Sequence, residues 1–207
     1  MQTEISNLSY IIFDLGGVII DLDVEATYQA FAQLSGMPLD RVKEFAASEE
    51  FFKQYERGEI DEPTFRAHLR EGLRFTGGES LLDEAWNAML GPIAAERFKK
   101  LEELANSYSL FVMSNTNEIH VRRFLQIARH TSPHKDFYDY FKQVYLSQEV
   151  GARKPEPKAW QVILDDHGLI PSKGLFIDDN LSNINAAAAL GLNTYHNQSV
   201  NDWMKLF

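Results

Sequence analysis

Five residues offer chemistry in this sequence: Asp14, Ser114, Lys154, Asp178 and Asp179. Asp14 follows the apolar run Tyr10-Ile11-Ile12-Phe13. Ser114 closes Leu110-Phe111-Val112-Met113, and the Asp178-Asp179 pair follows Leu175-Phe176-Ile177. Each stands where a buried strand would end. Lys154 comes a little after a shorter strand-like stretch over 143–146. Read singly, Asp14 is as readily a turn residue, Ser114 a cap and Lys154 an exposed cation. As a set they imply convergence, because the carboxyl ends of strands in an open parallel sheet share one edge and line one crevice. Three carboxylates in one crevice repel each other and require a countercharge. Magnesium supplies it, being a hard cation that takes oxygen ligands from a few carboxylates, waters and phosphate oxygens. Asp14 could then attack phosphorus and form an aspartyl-phosphate that water hydrolyses. Ser114, the amides after it beginning with Asn115, and Lys154 would hold the phosphoryl oxygens.

These side chains need a scaffold, and the rest of the chain describes one. The continuous apolar run before Asp14 suits a central parallel strand covered on both faces, and Gly16 and Gly17 allow a sharp turn close to a ligand. From 21 to 91 the strand signal disappears. Apolar residues recur there at helical spacing, as in Tyr28, Phe31, Ala32 and Leu34, or Phe65, Leu69 and Leu73. Breaks at Gly36-Met37-Pro38, Arg57-Gly58-Glu59 and Thr76-Gly77-Gly78 divide this segment into about four helices. Asp61, with Pro63 and Thr64 behind it, marks a helix start. That is too much chain for an ordinary crossover, so 21–91 reads as a helical cap over the crevice, inserted into a core made of 1–20 and 92–207. Strands are expected over 109–114, 143–146, 174–177 and 192–195, alternating with helices over about 94–106, 157–167 and 184–190. The fold class is α/β: a doubly wound, Rossmann-like parallel sheet with an inserted α-helical cap. Arg57 and Glu59, on a cap turn, are candidate substrate contacts, and Phe51, Phe52 and Tyr55 read as cap core. His120 is expected on a helix surface, and His130 and His134, near Pro133, are not expected to bind metal.

Composition narrows the function classes. The chain has 207 residues, a net charge of −10 and no cysteine. The charge disfavours a nucleic-acid partner, and the missing cysteines exclude disulfides, zinc-thiolate sites and thiol nucleophiles. Met1 to Ser9, which includes Glu4, has neither the basic nor the apolar region of a signal peptide. With no uninterrupted apolar run of membrane-spanning length, the expectation is a cytoplasmic protein acting on a small phosphorylated molecule, away from membranes.

The order of Asp14, Ser114, Lys154-Pro155 and Asp178-Asp179 resembles the four motifs of the haloacid dehalogenase superfamily, most of whose members are magnesium-dependent phosphatases. The resemblance extends over nearly the whole chain, and the helical insertion is similar to the α-helical lid of one subgroup. Phe13-Asp14-Leu15-Gly16-Gly17-Val18-Ile19, Ser114-Asn115-Thr116-Asn117 and Arg153-Lys154-Pro155-Glu156 look closest to a bacterial α-D-glucose-1-phosphate phosphatase branch. The resemblance implies that Asp14 is the nucleophile, that Asp14 and the Gly16 carbonyl bind magnesium, and that Asp179 is the main acidic ligand of the fourth motif. Asp178 matches a position often occupied by glycine, and Asn183 takes the place of a supporting carboxylate. One departure stands out. Most phosphatases of the superfamily carry a general acid two residues after the nucleophile, where this chain has Gly16. Such help is worth about 10²- to 10⁴-fold in rate. Asp21, Asp23, a water or a cap residue are the substitutes to consider. The expected activity is hydrolysis of a small phosphorylated metabolite, a sugar phosphate such as glucose 1-phosphate. The alternatives are metal-independent 2-haloacid dehalogenation and non-catalytic phosphate binding or regulation on the same fold.

Overall fold

Tyr10–Phe13 forms strand β1, every residue of it buried. In the computed structural model, which describes residues 7–132 and 134–207, β1 lies between β2 (Ser109–Ser114) and β4 (Gly174–Asp178). Glu4 and Pro133 fall outside the described residues. β3 (Gln143–Leu146) and β5 (Asn193–His196) complete a parallel sheet in the order β3-β2-β1-β4-β5. Alternation along the strands divides the apolar residues between two faces. Ile11, Phe13, Val112 and Ile177 pack on one side with Phe98 and Leu101 of α6 (Ala95–Ala105), Phe124 of α7 (Glu118–Thr131), and Trp203. Tyr10, Ile12, Phe111, Met113 and Phe176 face Trp160 and Ile163 of α9 (Lys158–His167), and Ala187 of α10 (Leu181–Ala189). Burial on both faces explains why these strands read as unbroken apolar runs. Each fully buried large side chain contributes roughly 1.5–3 kcal/mol relative to exposure. The strand over 192–195 begins and ends one residue later than its sequence pattern suggested, and α10 starts three residues earlier than expected.

The insert between β1 and β2 holds five helices: α1 (Val24–Ser35), α2 (Leu39–Ser48), α3 (Phe51–Glu56), α4 (Glu62–Leu73) and α5 (Glu79–Trp86). The sequence suggested about four. The additional break falls at Glu49, where the backbone becomes extended without a glycine or proline to announce it. The reorientation lets Phe51 reach Phe65, 5.6 Å between ring centroids, inside a cluster with Phe31, Leu69 and Trp86. Asp61 caps α4 as expected, accepting from the Thr64 amide at 3.0 Å. A hydrogen-bonded stem carries the chain in and out of the insert: Asp23 N to Met89 O, Gly91 N to Asp21 O, and Asp21 N to Pro92 O, at 2.8–3.0 Å. The short helix α8 (Ser147–Val150) follows β3 and leads into the Lys154 loop. No helix among the described residues is long and apolar enough to cross a membrane.

Candidate active site

Strand register brings the polar residues to one edge. Phe13 stands level with Val112 on one side and Ile177 on the other. The next residue, Asp14, donates its amide to Ile177 O at 2.8 Å, beside Asp178. Ser114, the last residue of β2, is level with Leu146. Lys154 reaches the same edge from its loop because the Asn115 side chain clamps its backbone: Oδ1 accepts from Lys154 N at 2.7 Å and Nδ2 donates to Lys154 O at 2.8 Å. The Lys154 ammonium is fully buried between two carboxylates, 2.7 Å from Asp14 Oδ1 and 2.6 Å from Asp178 Oδ2. Burial opposes its charge, but Asp14 and Asp178 outweigh that and hold its pKa above the ordinary range.

The three carboxylates are not equivalent. Asp178 is buried and saturated: besides Lys154 it accepts from the Asn180 amide at 2.7 Å and from Asn183 Nδ2 at 3.0 and 3.1 Å. Asp14 uses Oδ1 for the Leu15 amide and Lys154, leaving Oδ2 without a hydrogen bond among the described residues. The Asp179 carboxylate, whose side chain reaches the edge of the cavity, likewise accepts none from another side chain there. Burial raises the Asp14 pKa to about 7 against the pull of Lys154, and Asp178 and Asp179 add to the rise. Burial and Asp178 also raise that of Asp179. Oxygens of Asp14, Asp178 and Asp179 lie within 4.8 Å of one another, a donor set that fits a hard divalent cation. Gly17, at φ +69°, completes the cradle, since a Cβ there would overlap the Asp179 carboxylate.

Asp14, Lys154 and Asp179 lie on the floor of a cavity of about 420 Å³ whose roof comes from the insert, with Asp178 buried beneath them. Ser114 Oγ opens onto it with no partner among the described residues, and Asn115, Lys154 and Gly16 also line it. Ahead of Gly16 the space is filled by Leu22, whose Cδ2 would lie 3.1 Å from an added Cβ. Neither carboxylate considered as a substitute acid lines the cavity. Asp21 pairs with the buried Arg97 at 2.6 Å, and Asp23 caps α1. Arg57 and Glu59 are not brought to it either. Arg57 bonds Glu156 at 2.8 Å, and Glu59 lines a separate, more open groove with Gly58, Glu118 and Gln148.

Among the cavity residues not expected from the sequence are Glu56, and Arg153 as more than a neighbour of Lys154. A signal existed for Glu56, which lies four residues after Phe52 and so shares its face of α3. His120 is a correction. It is buried, stacked on Trp86 at 4.5 Å, donating from Nε2 to Trp86 O at 3.1 Å and accepting at Nδ1 from Asn117. The insert packs over that helix face, which the helical pattern of α7 alone could not reveal. Phe51, Phe52 and Tyr55 do belong to the apolar packing of the insert.

A parallel sheet in this order, carrying a carboxylate cluster and a buried lysine at its carboxyl edge beneath a helical insert, defines a class of capped α/β hydrolases. Family comparison agrees: residues 8–191 match the haloacid dehalogenase-like hydrolase model, and the chain belongs to that family. It is 32% identical over 196 residues to a D-ribitol-5-phosphate phosphatase of Bacteroides thetaiotaomicron, a match covering 93% of each chain. The structure is similar to that of a family enzyme from the same organism in complex with magnesium and inorganic phosphate. That match has a TM-score of 0.87 at 32% identity and covers 97% of this chain and 99% of the other. A family hydrolase from Porphyromonas gingivalis aligns with a TM-score of 0.86 at 29% identity, over 96% of this chain and 95% of the other.

Proposed function

We propose that this protein is a magnesium-dependent phosphatase of small phosphorylated metabolites, cytoplasmic, with a phosphorylated sugar or sugar alcohol as substrate. The observation that carries the reading is Lys154 held between Asp14 and Asp178 while Asp14 Oδ2, Asp179 and Ser114 Oγ stay available to a ligand. The likeness to a D-ribitol-5-phosphate phosphatase, and to a relative crystallised with magnesium and phosphate, supports it. In this reading 1–20 and 92–207 form the catalytic core and 21–91 the cap. Asp14, the Gly16 carbonyl and Asp179 would hold the cation, and Asp178 fixes Lys154 beside them. The cation supplies charge neutralisation that lets an anionic nucleophile meet an anionic substrate.

Asp14 Oδ2 attacks phosphorus, the bond from phosphorus to the ester oxygen breaks, and the departing alkoxide takes a proton from a water molecule in the cavity. Ser114 and Lys154 hold the phosphoryl oxygens throughout. Water then cleaves the aspartyl-phosphate, releasing phosphate and restoring Asp14. Asn115 contributes mainly by holding the Lys154 backbone, and Arg57 by tying cap to core. Dehalogenation is disfavoured because a haloacid would bring a further carboxylate into a site that already holds three.

The test is phosphate release from an aryl phosphate and from a panel containing linear sugar-alcohol phosphates and glucose 1-phosphate. The expected result is turnover with magnesium and none after EDTA. Activity that survives EDTA would sink the metal-dependent mechanism, and phosphate binding without turnover would favour a regulatory protein.

A further inference from the structure

Two ion pairs join the carboxyl end of α3 to the loop that carries Lys154. Glu56 Oε2 accepts from Arg153 Nε at 2.6 Å, and Arg57 Nε donates to Glu156 Oε1 at 2.8 Å. Each segment contributes one acid and one arginine, yet the pairs face different surroundings. Glu56 and Arg153 line the cavity, whereas Arg57 and Glu156 do not, and Arg57 turns outward to a second partner, Glu50. In the inner pair, Glu56 Oε1 and both terminal nitrogens of Arg153 have no side-chain partner among the described residues.

The inner pair is also an exception on its own wall. Leu22, Val24, Tyr28, Ala46, Phe52 and Met89 make the roof apolar around it, and the remaining cation there, Lys53, pairs with Glu50. A charged pair in such a setting loses hydration and gains it back only from a ligand that offers polar atoms. One free carboxylate oxygen and a free guanidinium edge present an acceptor beside donors. A neutral hydroxyl satisfies both, giving its hydrogen to Glu56 and its lone pair to Arg153, while C–H edges lie against Tyr28 and Phe52. A leaving group that ends in a carboxylate meets the charge of Glu56. One without hydroxyls leaves both charges unpaired, which a polar site rejects strongly.

We propose that the Glu56–Arg153 pair reads the leaving group and selects neutral, hydroxyl-bearing alcohols, and that the Arg57–Glu156 pair beside it only fastens the cap. This rests on the phosphatase reading above. The test compares kcat/KM for a linear sugar-alcohol phosphate with kcat/KM for an aryl phosphate lacking hydroxyls. Both are measured with magnesium on the native protein and on Glu56→Gln, Arg153→Lys and Arg57→Gln, each shown to be folded by thermal melting. The polyol-to-aryl ratio should fall about 10- to 100-fold in Glu56→Gln and in Arg153→Lys, the loss expected for a hydrogen bond to a charged group. In Arg57→Gln it should match the native ratio. An unchanged ratio in the first two variants overturns the proposal alone, as does an equal fall in Arg57→Gln, which would assign the effect to cap closure. Absence of magnesium-dependent turnover of both the sugar-alcohol phosphate and the aryl phosphate in the native protein overturns the phosphatase reading and the proposal with it.

Discussion

The floor and the roof of the cavity use charge in opposite ways. On the floor, Lys154 is fixed by two carboxylates, and Asp178 below it by three donors, so the groups are held before any ligand arrives. Only a few oxygens remain free. The roof is mostly apolar, interrupted by Lys53 and by Glu56, whose ion pair with Arg153 of the Lys154 loop keeps spare hydrogen-bonding capacity. A rigid, charged floor suits chemistry that is the same for every phosphate ester, because preorganised charges need no rearrangement at the moment of reaction. A mostly apolar roof on a separate helical unit suits discrimination, since it can vary without disturbing the strand ends.

Substitutions can break this division. The largest effect should come from the floor: Asp14→Asn removes the attacking oxygen's charge and should lower phosphate release by about 10³-fold or more for every substrate. An effect confined to one substrate would contradict a common floor. Lys154→Met should come next, leaving two buried carboxylates without their cation. A loss of about 3–5 kcal/mol in urea unfolding is expected, along with activity.

The seam between floor and roof gives a pH-dependent effect. Burial holds the His120 pKa down at about 4, below the 6.5 of a free imidazole. Between those values the unfolded chain takes up a proton that the folded one refuses. The contribution is therefore complete above pH 6.5 and is lost as pH falls towards 4, by up to about 3 kcal/mol. His120→Gln should flatten this part of the stability profile relative to the native protein, measured by urea midpoints at about pH 7 and pH 4.5. The smallest effect belongs to the outer latch. Arg57→Gln should cost no more than about 1 kcal/mol in thermal melting, because the pair is partly exposed and screened.

Much of the core was readable from local pattern. Strands buried on both faces leave unbroken apolar runs, and the ends of those runs mark Asp14, Ser114 and Asp178 in the sequence alone. The insert was readable as helical but not in detail. The break at Glu49 has no glycine or proline, so the segment over 39–56 carries no local mark of two helices. For the same reason the turn at Arg57-Gly58-Glu59 drew attention as a loop, while the neighbouring helical residue Glu56 is the one that faces the cavity.

By itself the sequence determined which residue types stand at the strand ends, and therefore the class of chemistry, because strand periodicity and burial are encoded within a few neighbouring residues. It also put glycine at position 16, where the superfamily it resembles mostly carries a general acid. Only the tertiary structure decided that Lys154 divides its charge between Asp14 and Asp178, that Leu22 occupies the space ahead of Gly16, that His120 lies under the insert, and that Glu56 rather than Arg57 meets the cavity. The first depends on how the strand ends and the Lys154 loop meet at the sheet edge, and the others on how the insert lies against the core; these are tertiary contacts that strand and helix periodicity does not record.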